Sequence, residues 1–580
     1  MGMMFISFTV FAQRDVHIDP VLAFLGISSP EDADPYDVER LSELLANPLK
    51  INVASESHVI SSSLFSRYQA ASLKDYISRH GDVLSLTELA AVDGFGEDFV
   101  SRLSPFISLD SSLLPGARHS DARRISNEFV LRCAPRSGNQ MNYGGKYRLS
   151  IDDSIIMTTS VSSSYDSWPE PSAICGSLAL KAGRSNVILG DFNARFGQGL
   201  VLWNGMSVGS LSSPASLSKR PTGLSQPWSF TGTSSYTGAA VEIQTGPIVS
   251  TLMLDASETL KSGNEECPLT ASADVSWFRA NGQLSLTSAT LLRFADQSGG
   301  NVIEESALSL SQRWSLGGLT LFSELALDCL SLAPSFISGV SMRMAEKLTG
   351  AAMFRYYHQS YSVNSSSAPG SGTTTSNEHG LTLAGEYEAY DKLRGVFSFD
   401  AACFPEPKSE DEDWSHHVKV ASDWKWTICP EFELKLKIAE RIRSWGQMFK
   451  TEARLDVLHK NGLFTNTLRV HSVRCDSIGL LGYMEGGMSK DAMKYFLRFG
   501  MFCIDDWDDR IYVYERDAPG SFNVPAYYGR GFWAALTGSW RFAEWGRIHF
   551  RASYISYSFM PLERRKPGRA ELRLQVQFYL

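Results

Sequence analysis

Four carboxylates fall within five residues at Asp505, Asp506, Asp508 and Asp509, interrupted only by Trp507. Carboxylate oxygens are what a hard cation such as Ca²⁺ prefers, so the run is a candidate metal site. It lacks the glycine and glutamate spacing of an EF-hand, and an acidic turn is the competing reading. Gly205-Met206-Ser207-Val208-Gly209 matches the G-x-S-x-G elbow of a serine hydrolase. That elbow needs a helix directly after it, and Ser, Pro and Gly follow here, so the match reads as chance. His416 and His417 follow the acidic run Glu410–Asp413. Adjacent strand residues face opposite ways and cannot ligate one ion together. Eight scattered cysteines contain no CxxC pair and read as small apolar residues rather than a zinc or redox site. No catalytic constellation emerges, the chain is read as a non-enzyme, and no cofactor is expected.

The elements around these residues carry more information. The chain has 580 residues, 20% of them charged, with a net charge of −9 and a mean hydropathy of −0.13. It is too polar for a bundle of membrane helices, and its charge argues against a generic nucleic-acid binder. From about residue 124 to the end, period-2 alternation dominates. Phe432, Leu434, Leu436 and Ile438 share one face while Glu433, Lys435 and Lys437 share the other. Ile548, Phe550, Ala552 and Tyr554 alternate with Arg547, His549, Arg551 and Ser553. Strand-like segments persist for some 450 residues with no helical layer to cover a sheet, the polar phase is often fully charged, and Glu571–Leu580 reads as a final strand with Leu572, Leu574, Val576, Phe578 and Leu580 on one apolar face. These features favour an antiparallel transmembrane barrel over a sandwich, with roughly 22–26 strands. The Ser/Gly/Thr-rich stretch Ser362–Ser376 is expected to be a mobile extracellular loop, and Tyr527 to Gly531 to sit near a rim.

Residues 36–110 read as helical, with helices expected over Tyr36–Ala46, Ser55–Ser63, Tyr68–His80, Leu86–Val92 and Glu97–Leu103. Residues 1–13 look like the remnant of a secretory signal peptide. In Leu86–Leu103, two helical stretches flank Val92-Asp93-Gly94-Phe95-Gly96. The segment resembles a helix-hairpin-helix motif, and a degenerate first copy precedes it, as in competence-type DNA-binding proteins. That likeness implies phosphate contact through Gly94, Phe95 and Gly96. Leu41–Asp110 carries nine acidic and five basic residues, a field that disfavours DNA.

The segment Leu189-Gly-Asp-Phe-Asn-Ala-Arg-Phe-Gly-Gln-Gly-Leu-Val-Leu-Trp203, with Lys566–Gln575, resembles a group of outer-membrane barrel proteins that carry helix-hairpin-helix domains. The resemblance implies an α+β multidomain chain: a small all-α domain (36–110) followed by a large barrel (124–580). It places the barrel in the outer membrane of a Gram-negative bacterium and the helical domain in the periplasm. Asp191, Asn193, Arg195 and Gln198 are expected in the lumen, at a constriction or a bulge around Gly190, Gly197 and Gly199. Expected partners are outer-membrane lipid, an envelope protein and, against the charge, DNA. Three roles stand open: non-enzymatic transport or envelope scaffold, DNA uptake, and, weakest, an envelope hydrolase. A barrel occluded by a docked helical domain would favour the first.

Overall fold

The computed structural model describes residues 18–580 except 28, 47, 53, 55–58, 60–61, 63, 66, 111–124, 139, 153, 206–212, 231–234, 263–267, 280, 294–301, 390–391, 411, 491, 544 and 560–567. The signal-like segment 1–13, the elbow residues 206–209 and most of the helix expected over Ser55–Ser63 lie outside them.

Twenty-four strands, from Ile125–Arg136 to Gly568–Tyr579, close into one antiparallel barrel, and the last strand pairs with the first. The alternation read in the sequence fixes the side-chain directions. Leu308 and Leu310 are exposed on the outside, while Ser309 and Ser311 point inward and are buried. Leu436 and Ile438 face out while Lys437 is buried. The apolar phase thus coats the exterior and the polar phase lines the interior, the inverse of a soluble protein and the arrangement lipid demands. Among the described residues, closure pairs the first strand with the last and leaves the sheet no free edge strand in that apolar setting. The two rims differ. At the rim holding Ile125 and Tyr579 the connections are two or three residues long, as at Thr245–Ile248 and Cys429–Phe432. At the other rim they reach forty residues, between Arg195 and Tyr236.

Ahead of the barrel come α1 (Asp19–Leu25), α2 (Pro35–Ala46), α3 (Arg67–His80), α4 (Leu86–Ala91) and α5 (Glu97–Leu103). They share one apolar core that includes Val21, Phe24, Leu41, Leu73, Leu89, Val100 and Phe106. Asn52 ties this unit together: its Oδ1 accepts the Val83 amide at 2.9 Å, and its Nδ2 donates to the carbonyls of Val83 and Leu109. Among the described residues, no helix is long and apolar enough to cross a membrane.

Candidate functional site

The site is the barrel interior, into which several segments of the chain fold. The strand Ser185–Arg195 begins as wall. It pairs with Ala173–Ala182 as far as Gly190, and with Tyr236–Thr245 as far as Phe192. Beyond that point Asn193–Arg195 pairs with Gly223–Ser225 instead, so the strand leaves the wall and runs into the lumen. Gly190 makes this turn possible. Its φ is 93°, and a Cβ there would lie 2.2 Å from the Gly176 carbonyl oxygen. Asp191 secures the turn by accepting the Gly176 amide at 2.7 Å and the Thr237 hydroxyl at 2.5 Å.

The chain then folds back on itself inside the barrel. The Phe196 amide donates to the Leu202 carbonyl, and the Ala194 amide to Asn204 Oδ1. Phe192, Phe196, Leu200, Val201 and Leu202 form a buried apolar core with Phe322, Ile337, Tyr357 and Tyr361 from neighbouring parts of the barrel. Glu324, reaching in from the wall, accepts the Gln198 and Leu200 amides at 2.5 and 3.3 Å. Gln198 Oε1 in turn accepts the Lys219 amide. Asp191, Asn193, Arg195 and Gln198 all lie inside the barrel, each at 5% exposure or less. Asn193, Arg195 and Gln198 belong to a packed insert rather than to the lining of an open pore, and Asp191 stands on the wall strand just ahead of it.

The Ser362–Ser376 loop corrects a sequence expectation. It lies inward: Ser365 O accepts the Trp203 amide, the Ser367 amide donates to Gly199 O, and Val363 and Ala368 are buried. Small polar residues satisfy the insert's backbone there, which composition alone does not distinguish from a solvated loop. A third inward segment, 513–527, is held by Arg551 on Glu515, Arg573 on Asp517, and Gln575 Nε2 on the Pro519 carbonyl. Tyr527 accordingly sits in a buried aromatic cluster with Phe502 and Trp533.

Into the remaining space docks the segment that carries α1 and α2. Asp19 pairs with Lys435 at 3.0 Å, and Glu31 with Arg469 at 2.9 Å and Arg454 at 3.2 Å. Arg195 pairs with Asp37 at 2.8 Å and Asp34 at 3.8 Å. Glu39 accepts the Ser229 hydroxyl at 2.6 Å. The Arg220 guanidinium lies over the rings of Phe24 and Phe99. Burial works against the charge on Glu31, but the two guanidiniums and the Tyr514 amide outweigh it and hold the carboxyl well below its ordinary value. Burial raises the Glu39 carboxyl, against the pull of Lys146 and the Ser229 hydroxyl. Burial also lowers the Lys219 ammonium to about 7, with Arg195 adding to the effect.

The turn between α4 and α5 carries Gly94, Phe95 and Gly96, with φ of 84° and 76° at the two glycines. Gly94 and Gly96 are exposed, whereas Phe95 is buried against Phe65 and Phe99. The Phe95 amide donates to Val92 O, the Gly96 amide to Ala90 O, and Gln69 Nε2 to Gly94 O. Two of the amides expected to meet a phosphate therefore have partners within the turn. The four aspartates of the acidic run also separate. Asp505 pairs with Arg530 through both oxygens, and Asp509 is buried, accepting the amides of Cys475 and Ser477. Asp506 and Asp508 instead come together with Asp476, their oxygens within 4.8 Å of one another.

Lys435, Arg454 and Arg469 could be read from the sequence as lumen charges by their alternating phase. Their partners Asp19 and Glu31 could not, because no local pattern marks an acid for a strand 400 residues away.

No family model matches the chain, and no curated protein matches it. Solved structures do. The P pilus usher (PapC) translocation pore is 10% identical over 79% of this chain and 99% of its own, with a TM-score of 0.36. The copper transporter OprC is 8% identical over 79% and 80%, with a TM-score of 0.41. The outer membrane protein opdK from Pseudomonas aeruginosa is 8% identical over 79% and 99%, with a TM-score of 0.31. The likeness is one of barrel fold and reaches no further.

Proposed function

We propose that this chain is an outer-membrane β-barrel closed by its own helical segment and inward loops, with a non-enzymatic role in transport or as an envelope scaffold. The observation that carries the reading is the docked segment: Asp19, Glu31, Asp34 and Asp37 meet cations of the barrel interior. An apolar exterior with two unequal rims suits an outer membrane, with the short turns and the helical unit on the periplasmic side. The test is conductance of the full chain in planar bilayers. Wild type is expected to be closed or to open rarely. A steady large conductance like that of an open porin would refute closure.

DNA reception through Gly94, Phe95 and Gly96 is the alternative. It gains little from a turn whose Phe95 and Gly96 amides are already engaged and which has Asp93 and Glu97 beside it. Salt-sensitive DNA binding by the full chain, lost on replacing Gly94 and Gly96, would put it first.

A further inference from the structure

Every ion pair described above across the docking interface runs one way, with the acid on residues 19–37 and the base on the barrel side. Glu31 shows the pattern at atomic detail. Asp456, on the same strand as Arg454, accepts Nε and Nη2 of Arg469 at 2.6 and 3.0 Å and sits 3.3 Å from Nε of Arg454. That carboxylate holds the Nε edges of both guanidiniums. Their Nη1 atoms converge on the two oxygens of Glu31, and that of Arg454 also donates to Ser29 Oγ, on the same docked segment, at 2.7 Å. The backbone amide of Tyr514, from the inward segment 513–527, donates to the same carboxylate at 3.1 Å. Donors from two wall strands and a loop thus surround one carboxylate that the wall itself does not supply. A cavity of about 80 Å³ adjoins this point, and Lys435, Arg498 and Arg516 add three further cations to its lining. Within that lining only Asp456 and Glu485 are acids of the barrel, against five of its cations.

We infer that the Arg454–Arg469–Tyr514 cradle is a binding seat for an anion bearing a carboxylate or phosphate group, and that Glu31 occupies it as a built-in stand-in while the segment is docked. Paired guanidiniums and a backbone amide are the donors such oxyanions select. Undocking removes Glu31 and Asp19 together and leaves the cradle preformed by Asp456, while Glu433 stays on Lys435 and Glu485 on Arg498 and Arg516. An arriving anion then competes directly with Glu31, so ligand binding and release of the segment are one equilibrium. This inference rests on the reading that the docked segment closes the barrel.

The test uses the full chain in detergent, with inorganic phosphate titrated calorimetrically. Glu31→Gln keeps the shape of the stand-in and removes its charge. It is expected to bind phosphate at least about tenfold more tightly than wild type, because the seat no longer has an anionic occupant. Adding Arg454→Gln should abolish the gain. Adding Arg469→Lys, which keeps the charge and loses the fork, should weaken it without unfolding the wall. Phosphate binding in Glu31→Gln no tighter than in wild type would overturn the inference, as would a gain undiminished by the two arginine changes. Bilayer conductance reports separately on closure. If wild type conducts steadily like an open porin, the closure reading fails whatever the calorimetry shows.

Discussion

Replacing Arg195 with Met removes the guanidinium that joins the lumen insert to α2. Its distances to Asp37 and Asp34 are 2.8 and 3.8 Å, and its side chain is 7% exposed. At an effective dielectric constant of about 20, those contacts correspond to gross attractions of about 6 and about 4 kcal/mol. Desolvation cancels much of this, and breaking a buried pair from one side typically costs about 3–5 kcal/mol because a charge is left behind. Arg40 lies 3.7 Å from Asp37 and compensates part of the loss. The expected cost to docking is therefore near the lower end, about 3 kcal/mol, or roughly a 100-fold rise in the open population. The assay is amide hydrogen exchange over Pro35–Ala46, which reads that population when the segment exchanges by undocking. Asp37→Asn completes a double-mutant cycle, and the double variant should recover at least about 1 kcal/mol of the summed losses. Exchange in Arg195→Met within about twofold of wild type, or losses that simply add, would refute the claim that this pair holds the segment in place.

Other consequences are simpler to test. Gly190→Ala places a Cβ against the Gly176 carbonyl at a positive φ, where no side-chain rotation relieves the contact. It should lower the temperature at which the folded band is lost on heat-modifiable gels, whereas an alanine at Gly176, which meets nothing within 4 Å, should leave it unchanged. Glu39 has a raised pKa in the docked state. Docking should therefore weaken as pH rises from the ordinary carboxylate value through the raised one, since the docked form holds the proton longer. Glu39→Gln should remove that pH dependence, visible in the same exchange experiment. Leu310 sits mid-strand on the lipid face. Leu310→Arg should cost about 2–4 kcal/mol in vesicle folding titrations if it lies near the bilayer midplane.

The barrel was legible in the sequence because a strand's two faces must differ when one meets lipid and the other does not. Alternation such as Glu433-Leu434-Lys435-Leu436-Lys437 survives translation into structure residue by residue. Helices were legible by period, and Glu97–Leu103 appears as expected. The helix Asp19–Leu25 was not anticipated. The interior was the illegible part. Charged inward residues suggest water, and the sequence cannot show that Arg454 meets Glu31 or that Glu324 holds the amides of Gln198 and Leu200. Those are long-range pairings with no local signature. The one clue was Phe196 followed by Leu200, Val201, Leu202 and Trp203, too many large apolar residues near a loop to be left in solvent.

The docking contacts also set an order of events as the protein is made. Asp19 waits for a lysine 416 positions later, and Glu31 for an arginine 438 positions later. Until those strands exist the contacts of Asp19 and Glu31 with them cannot form, and the barrel cannot shut until Gly568–Tyr579 reaches Ile125–Arg136. Loop closure over such spans is slow relative to local hairpin formation. A segment that precedes the barrel in the chain is therefore among the last to find its place. Any factor that assembles this barrel must keep that part accessible on the correct side while the wall is built around the space it will occupy.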